Sequence, residues 1–157
     1  MKKLYLAGGL FNAGQQMHNL YLEKYLTELG YKIILPQREA LKFSAGKQFD
    51  LRAVGADCQR YAADTETVCV VNADGPDADS GGAVEYGIAV TKKGSAVVYR
   101  TDIRTTSENG SGINIMLQLK GSIIVRFPAL LRELDEIPAY YCALAQKIHE
   151  AIELLDM

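Results

Sequence analysis

The 157-residue sequence has no run of lysine or arginine, no apolar stretch near the roughly 18 residues of a membrane span, and no Cys-x-x-Cys pair. Each absence removes a class of function. Seventeen basic and nineteen acidic side chains leave a net charge of −2, so nothing provides the electrostatic footprint of a nucleic-acid binder, and neither nucleic acid nor membrane is an expected partner. The three cysteines, Cys58, Cys69 and Cys142, are widely spaced and read as buried thiols, with no metal site and no disulfide framework implied. Lys2 and Lys3 precede an apolar run that Gly8 and Gly9 already interrupt. A secretory signal has a longer apolar core, so a cytoplasmic protein is expected. A chain of this length forms one domain, residues 1–157, large enough to fold without covalent staples.

What is present is a regular alternation. Leu4–Ala7 is a short apolar run ended by two glycines, a first strand. From Gln15 to Leu29 the residues Met17, Leu20, Tyr21, Tyr25, Leu26 and Leu29 recur at helical steps, with Gly30 as the terminal cap. Tyr31–Leu35 reads as a strand stopped by Pro36, and residues 36–47 as a surface loop with one helical turn. Leu51, Val54, Cys58 and Tyr61 mark a helix over Asp50–Ala63, and the β-branched run Thr67–Asn72 a central strand. A turn-rich segment, residues 73–79, leads to a helix over Gly81–Lys92. Strands at Ser95–Arg100 and Ser122–Phe127 and a helix over Pro138–Leu155 complete the pattern. The alternation predicts an α/β fold, a three-layer sandwich around a five-stranded parallel sheet of the flavodoxin-like or Rossmann-like type. Ligands of such sheets bind beyond the carboxyl ends of the strands, where strand order reverses. That places a site among residues 8–14, 73–80 and 101–112.

These loops carry unusual residues. Asp74, Asp77 and Asp79 follow the central strand, and Glu85 lies one and a half helical turns beyond Asp79. Aspartate also caps helices and forms turns, so the aspartates alone leave both roles open. Glu85 is more pointed, because Gly81, Gly82 and Gly87 surround it and each weakens a helix by roughly 1 kcal/mol relative to alanine. Such glycines suggest close approach of a substrate or of another backbone. The loop Gly8-Gly9-Leu10-Phe11-Asn12-Ala13-Gly14 lacks the spacing of a dinucleotide fingerprint, and there is no phosphate loop. Phe11 suggests an aromatic wall for a planar ring, although the core is the commoner place for phenylalanine. Tyr5 either turns its hydroxyl to the cleft or sits in the core.

Taken together, residues 5–12, Asn72-Ala73-Asp74-Gly75, residues 79–87, Asp102-Ile103-Arg104 and Asn114-Ile115-Met116-Leu117 resemble the nucleoside 2-deoxyribosyltransferase family, in the family's order. The resemblance implies an enzyme of nucleoside salvage that transfers 2-deoxyribose between nucleobases without a cofactor. Its substrates would be a 2′-deoxynucleoside and a free nucleobase. By the same resemblance Glu85 is the nucleophile that forms a deoxyribosyl ester, the logic of retaining glycoside chemistry. Asp74 is the proton donor to the leaving base, Asp79 holds a sugar hydroxyl, and Tyr5 orients the nucleophile. Gly8 and Phe11 belong to the substrate pocket. Asn114 and Met116 reach the pocket from a neighbouring subunit, which implies a homo-oligomer, a dimer or hexamer-of-dimers type, with shared sites. A short strand packing internally is the plainer role for residues 114–116. Arg104 shapes the loop over the base and has no chemical step.

Two residues depart from the family pattern: Gly82 stands where a threonine is usual, and Val84 where an aromatic is. Relatives on the same fold hydrolyse N-glycosidic bonds of nucleoside 5′-monophosphates, using a serine and an arginine in the first glycine-rich loop. Phe11 and Asn12 offer no such pair, which favours nucleosides. A noncatalytic nucleoside-binding module is the third reading, and the combination of Tyr5, Asp74, Asp79 and Glu85 argues against it.

Overall fold

A computed structural model describes residues 1–45, 48–104 and 112–155 of the chain. Residues 46–47, 105–111 and 156–157 lie outside this description, and with them most of the third expected site loop and the last two residues of the expected domain. Among the described residues the strands are β1 (Lys3–Ala7), β2 (Lys32–Ile34), β3 (Ser44–Ala45), β4 (Gln48–Phe49), β5 (Thr67–Asn72), β6 (Ala96–Arg100) and β7 (Ser122–Arg126). The helices are α1 (Ala13–Glu28), α2 (Pro36–Glu39), α3 (Leu51–Ala63), α4 (Ser80–Lys93) and α5 (Glu136–Leu155), with 3-10 turns at Ala40–Phe43 and Ile115–Leu117.

Five strands form one all-parallel sheet in the order β2-β1-β5-β6-β7. Strand order therefore reverses between β1 and β5, the central pair, which is in register from Lys3 against Thr67 to Ala7 against Val71. Successive side chains of a strand point to opposite faces, and the two cores follow that alternation. Leu4, Leu6, Val70, Val97 and Tyr99 pack with Leu22 and Leu26 of α1 and Leu144, Ile148 and Ile152 of α5. Tyr5, Ala7, Cys69, Val71 and Val98 pack with Ala62 of α3 and Tyr86 and Ala89 of α4. Fully burying Leu144, Ile148 or Ile152 stabilises the fold by about 1.5–3 kcal/mol each. No helix among the described residues is long and apolar enough to cross a membrane.

Local signals account for the element ends. Asn12, Asp50 and Asp79 cap α1, α3 and α4 by accepting backbone N–H groups of their first turns. Gly30, at φ +91°, reverses the chain after α1. Several local expectations need correction. Pro36 starts α2 rather than merely stopping β2, since proline suits the first helical position. The expected loop over residues 36–47 contains α2, a 3-10 turn and β3, whose partner β4 follows at once. Met17, Leu20 and Leu29 are exposed, and the buried face of α1 is Asn19, Leu22 and Leu26. Of the three cysteines only Cys69 is buried; Cys58 is half-buried and Cys142 exposed.

Candidate active site

Two cavities open beyond β1 and β5, and Asp79 lines both. The first, about 330 Å³, is walled by Leu10, Phe11, Pro36, Val54 and Val84, with Cys58 and Glu85 also reaching it. The second, about 390 Å³, is polar and lined by Gln15, His18, Asn72, Asp74, Asp77 and Asp79 among others. Three aspartates give this second crevice an acidic wall.

Glu85 stands on the sheet side of α4 beside Tyr86 and is only 9% exposed. The Tyr5 hydroxyl donates a 2.7 Å hydrogen bond to its Oε1. Residues eighty positions apart meet because β1 lies under α4, and Tyr5 points to that face of the sheet. Burial pushes the Glu85 carboxyl up to about 7, helped by the charge of Asp79 and opposed by hydrogen bonding to Tyr5. Burial likewise holds the Tyr5 phenol far above its ordinary value, so it remains a donor. A carboxyl that ionises near pH 7 at the wall of an apolar cavity and is oriented by the Tyr5 hydroxyl is suited, once ionised, to nucleophilic attack.

Of the glycines around Glu85, Gly82 has a packing reason, whereas a Cβ on Gly87 would meet nothing within 4 Å. Gly82 is buried, and a Cβ there would lie 3.1 Å from the Gly8 Cα. Gly8 has φ +137°, and a Cβ on it would meet the Asn72 Cβ at 2.9 Å. The loop after β1 therefore runs directly against the first turn of α4 and the end of β5. Asp79 Oδ2 accepts from Gly82 N–H at 2.8 Å, which fixes the start of that helix beside both cavities.

Asp74 is held differently. Its Oδ1 accepts from the backbone N–H of Thr101 at 2.6 Å and of Asp102 at 2.8 Å, and its Oδ2 accepts from the Thr101 hydroxyl at 2.6 Å. Both oxygens thus tie the end of β5 to the chain leaving β6, and Asp74 faces the polar crevice rather than the cavity of Glu85. Arg100, buried at the end of β6, donates to the carbonyls of Ala73 and of Gly75, the latter at 2.9 Å. Arg104 is exposed and pairs with Asp102.

Phe11 is largely exposed, and both it and Gly8 line the apolar cavity. Asn114 and Met116 are exposed and line a third cavity of about 230 Å³, with Tyr86 and Leu119. Within one chain they are not brought to Glu85. Asn114 instead accepts from Met116 N–H at 2.9 Å.

Sequence reasoning gave no site role to Cys58, His18 or Thr101. His18 bridges the hydroxyls of Tyr99 and Tyr141, each at 2.9 Å, and borders the polar crevice. Burial lowers its pKa against the opposing charge of Asp74. No sequence spacing marks such contacts, because the partners come from α1, β6 and α5. Periodicity did place Cys58 on the inner stripe of α3, yet a single thiol there carries no chemical signal by itself.

The fold and site together define an α/β protein with a buried carboxylate and tyrosine pair at the switch point of a parallel sheet. Residues 4–116 match the nucleoside 2-deoxyribosyltransferase family, and the chain belongs to it. Among curated proteins no sequence matches the chain. A solved structure of a conserved protein from Enterococcus faecalis V583 is 23% identical, with TM-score 0.67, over 96% of this chain and 98% of that one. A 2-deoxyribosyltransferase from the psychrotolerant bacterium Bacillus psychrosaccharolyticus is 21% identical, with TM-score 0.58, over 91% and 95%. Both share the fold. Membership indicates activity of the nucleoside 2-deoxyribosyltransferase type, with nucleosides and nucleobases as the substrates the family implies.

Proposed function

We propose that this protein transfers 2-deoxyribose from a 2′-deoxynucleoside to a free nucleobase through an ester on Glu85. The observation that carries the reading is the 2.7 Å bond from Tyr5 to a buried Glu85 at the wall of an apolar cavity. The anionic carboxylate attacks the anomeric carbon, the carbon–nitrogen bond breaks, and a second base takes the sugar from the other direction with net retention. Tyr5 orients the attacking carboxylate, and Asp79, at the junction of the cavities, holds a sugar hydroxyl. Phe11 covers a planar ring at the mouth, and Gly8 leaves room beneath it. Asp74, the donor to the leaving base that the resemblance implies, already accepts on both oxygens and shapes the adjoining loop.

An acidic crevice beside the nucleophile disfavours a 5′-phosphate, which supports nucleosides over nucleotides. We place the chain as one domain in cytoplasmic nucleoside salvage, in an oligomer whose partner subunit brings Asn114 and Met116 to the pocket. The test is incubation with deoxyinosine and free adenine, followed by chromatography. Deoxyadenosine is the expected product, and Glu85→Ala abolishes it without changing the far-ultraviolet circular dichroism. Hypoxanthine with free deoxyribose alone identifies a hydrolase, and no reaction across a panel of bases leaves a binding module.

A further inference from the structure

We propose that Tyr61 is a positioning residue of this site, whose ring, laid against that of Tyr5, holds the Tyr5 hydroxyl in aim at Glu85. The inference rests on the reading of Glu85 as the nucleophile. Among the described residues Tyr61 carries the one ring stacked on Tyr5, with centroids 5.7 Å apart and planes 22° apart. It lines neither cavity that Asp79 borders, so it reaches the reaction only through its neighbour.

The aim of Tyr5 needs support. A phenol oxygen lies at the far end of its side chain, where any tilt of the ring moves it most, and a hydrogen bond weakens steeply once distance and angle are lost. Tyr5 is fully buried on β1, in register with Ile34 of β2 on one side and Cys69 of β5 on the other. The short Cys69 side chain leaves the ring to be held from above the sheet, where α3 brings Tyr61 into the same core.

Tyr61 is itself anchored. Its hydroxyl donates to Glu39 Oε2 of α2 at 2.8 Å, and the Arg60 guanidinium lies over its ring, 4.0 Å from the centroid. Arg60 Nε in turn donates to Asp57 at 3.0 Å. Pro36 of α2 and Val54 of α3 wall the apolar cavity, so the elements that receive a base are those that hold Tyr61.

The consequence falls on one proton equilibrium. The groups facing Glu85 are Tyr5 from β1, the Cys58 thiol from α3 and the Asp79 carboxylate before α4. The 2.7 Å bond from Tyr5 favours the ionised carboxylate. A Tyr5 ring set loose therefore raises the pH at which Glu85 ionises, with every charge around it unchanged.

The test is a carbon nuclear magnetic resonance titration of the Glu85 carboxyl, identified by its loss in Glu85→Gln. It compares wild type, Tyr61→Phe, Tyr61→Leu, Tyr5→Phe and the double variant Tyr5→Phe with Tyr61→Leu. Tyr61→Leu is expected to raise the Glu85 pKa by about one pH unit and to add nothing once Tyr5→Phe is present. Tyr61→Phe keeps the ring and is expected to titrate as wild type. From a starting value of about 7, that rise leaves about a tenth of Glu85 ionised at pH 7 instead of half. The kcat/KM of Tyr61→Leu on deoxyinosine is then expected to be about fivefold below wild type at pH 7 and level with it by about pH 9. Should Tyr61→Leu not fold, Tyr61→Met, closer in volume, takes its place in every arm. An unchanged pKa in the ringless variant, or a lowered one, as water entering beside Glu85 would give, overturns the proposal. An equal rise in Tyr61→Phe, or full additivity with Tyr5→Phe, also overturns it. A wild type that moves no deoxyribose refutes the transferase reading, whereas the titration, which needs no turnover, still decides the hold of Tyr61 on Glu85.

Discussion

Replacing Glu85 by glutamine leaves an oxygen for the Tyr5 hydroxyl but removes the charge, and the consequence for stability has a definite sign. The folded-state pKa of Glu85 is raised from 4.5 to about 7, so between these values the native protein binds more protons than the unfolded chain. Stability must then fall as pH rises through that window and level off above it. At about 1.4 kcal/mol per pH unit, keeping the buried carboxylate ionised costs on the order of 3 kcal/mol at pH 8. Glu85→Gln is therefore expected to match wild type near pH 4.5 and to exceed it at pH 8. For a chain of this size the difference corresponds to a rise in Tm of roughly 6–12 °C. Thermal melts of both proteins across that range, followed by circular dichroism, measure it directly. A pH-independent difference, or a variant less stable at pH 8, would refute the argument that burial raises this carboxyl. Under the proposed mechanism the same titration governs activity, because only the ionised carboxylate attacks. The wild-type kcat/KM is expected to rise through pH 7, with about a tenth of the sites competent at pH 6.

Tyr5→Phe removes a bond that favours the ionised carboxylate. Hydrogen bonds to charged groups contribute about 1.5–3 kcal/mol, so the acid limb of the kcat/KM profile should move up by about 1–2 pH units. An unchanged limb would contradict the 2.7 Å contact. Gly82→Ala places a methyl group 3.1 Å from the Gly8 Cα and should destabilise the fold by about 1–3 kcal/mol, read from urea midpoints. Asn114→Ala should lower activity, and mixing it with Glu85→Ala protein should restore some of it if subunits share sites. No complementation would place Asn114 in its own chain's chemistry.

Much of the fold was legible because burial writes itself into the strands. The β-branched run Thr67–Asn72 and the glycine-bounded Leu4–Ala7 could hardly be anything else in an alternating chain. The stretch 36–49 was opaque, since single helical turns and a two-residue ladder are too short to show a period. Helix α1 misled for another reason. Asn19 is buried because its amide donates to the Gly9 carbonyl at 3.1 Å and to Gln37 at 3.0 Å, so polarity hid the inner face that Met17 and Leu20 seemed to claim. The loops of the site were placed by the reversal of strand order, a property of topology. The meeting of Tyr5 with Glu85 was reached through family resemblance, and no local spacing contains it. The ties from Asp74 to Thr101 and Asp102 were invisible because two of the three donors are backbone amides, which every residue but proline carries.

The backbone contact between Gly8 and Gly82 also bears on redesign. Two chain segments touching with no side chain between them transmit displacement directly, so widening the pocket from this side would shift α4 and Glu85 with it. Val54, Val84 and Phe11 line the same space with side chains, and none of them takes part in that backbone contact. Libraries meant to admit bulkier bases therefore have a natural boundary: vary the three apolar walls and leave the glycine pair untouched.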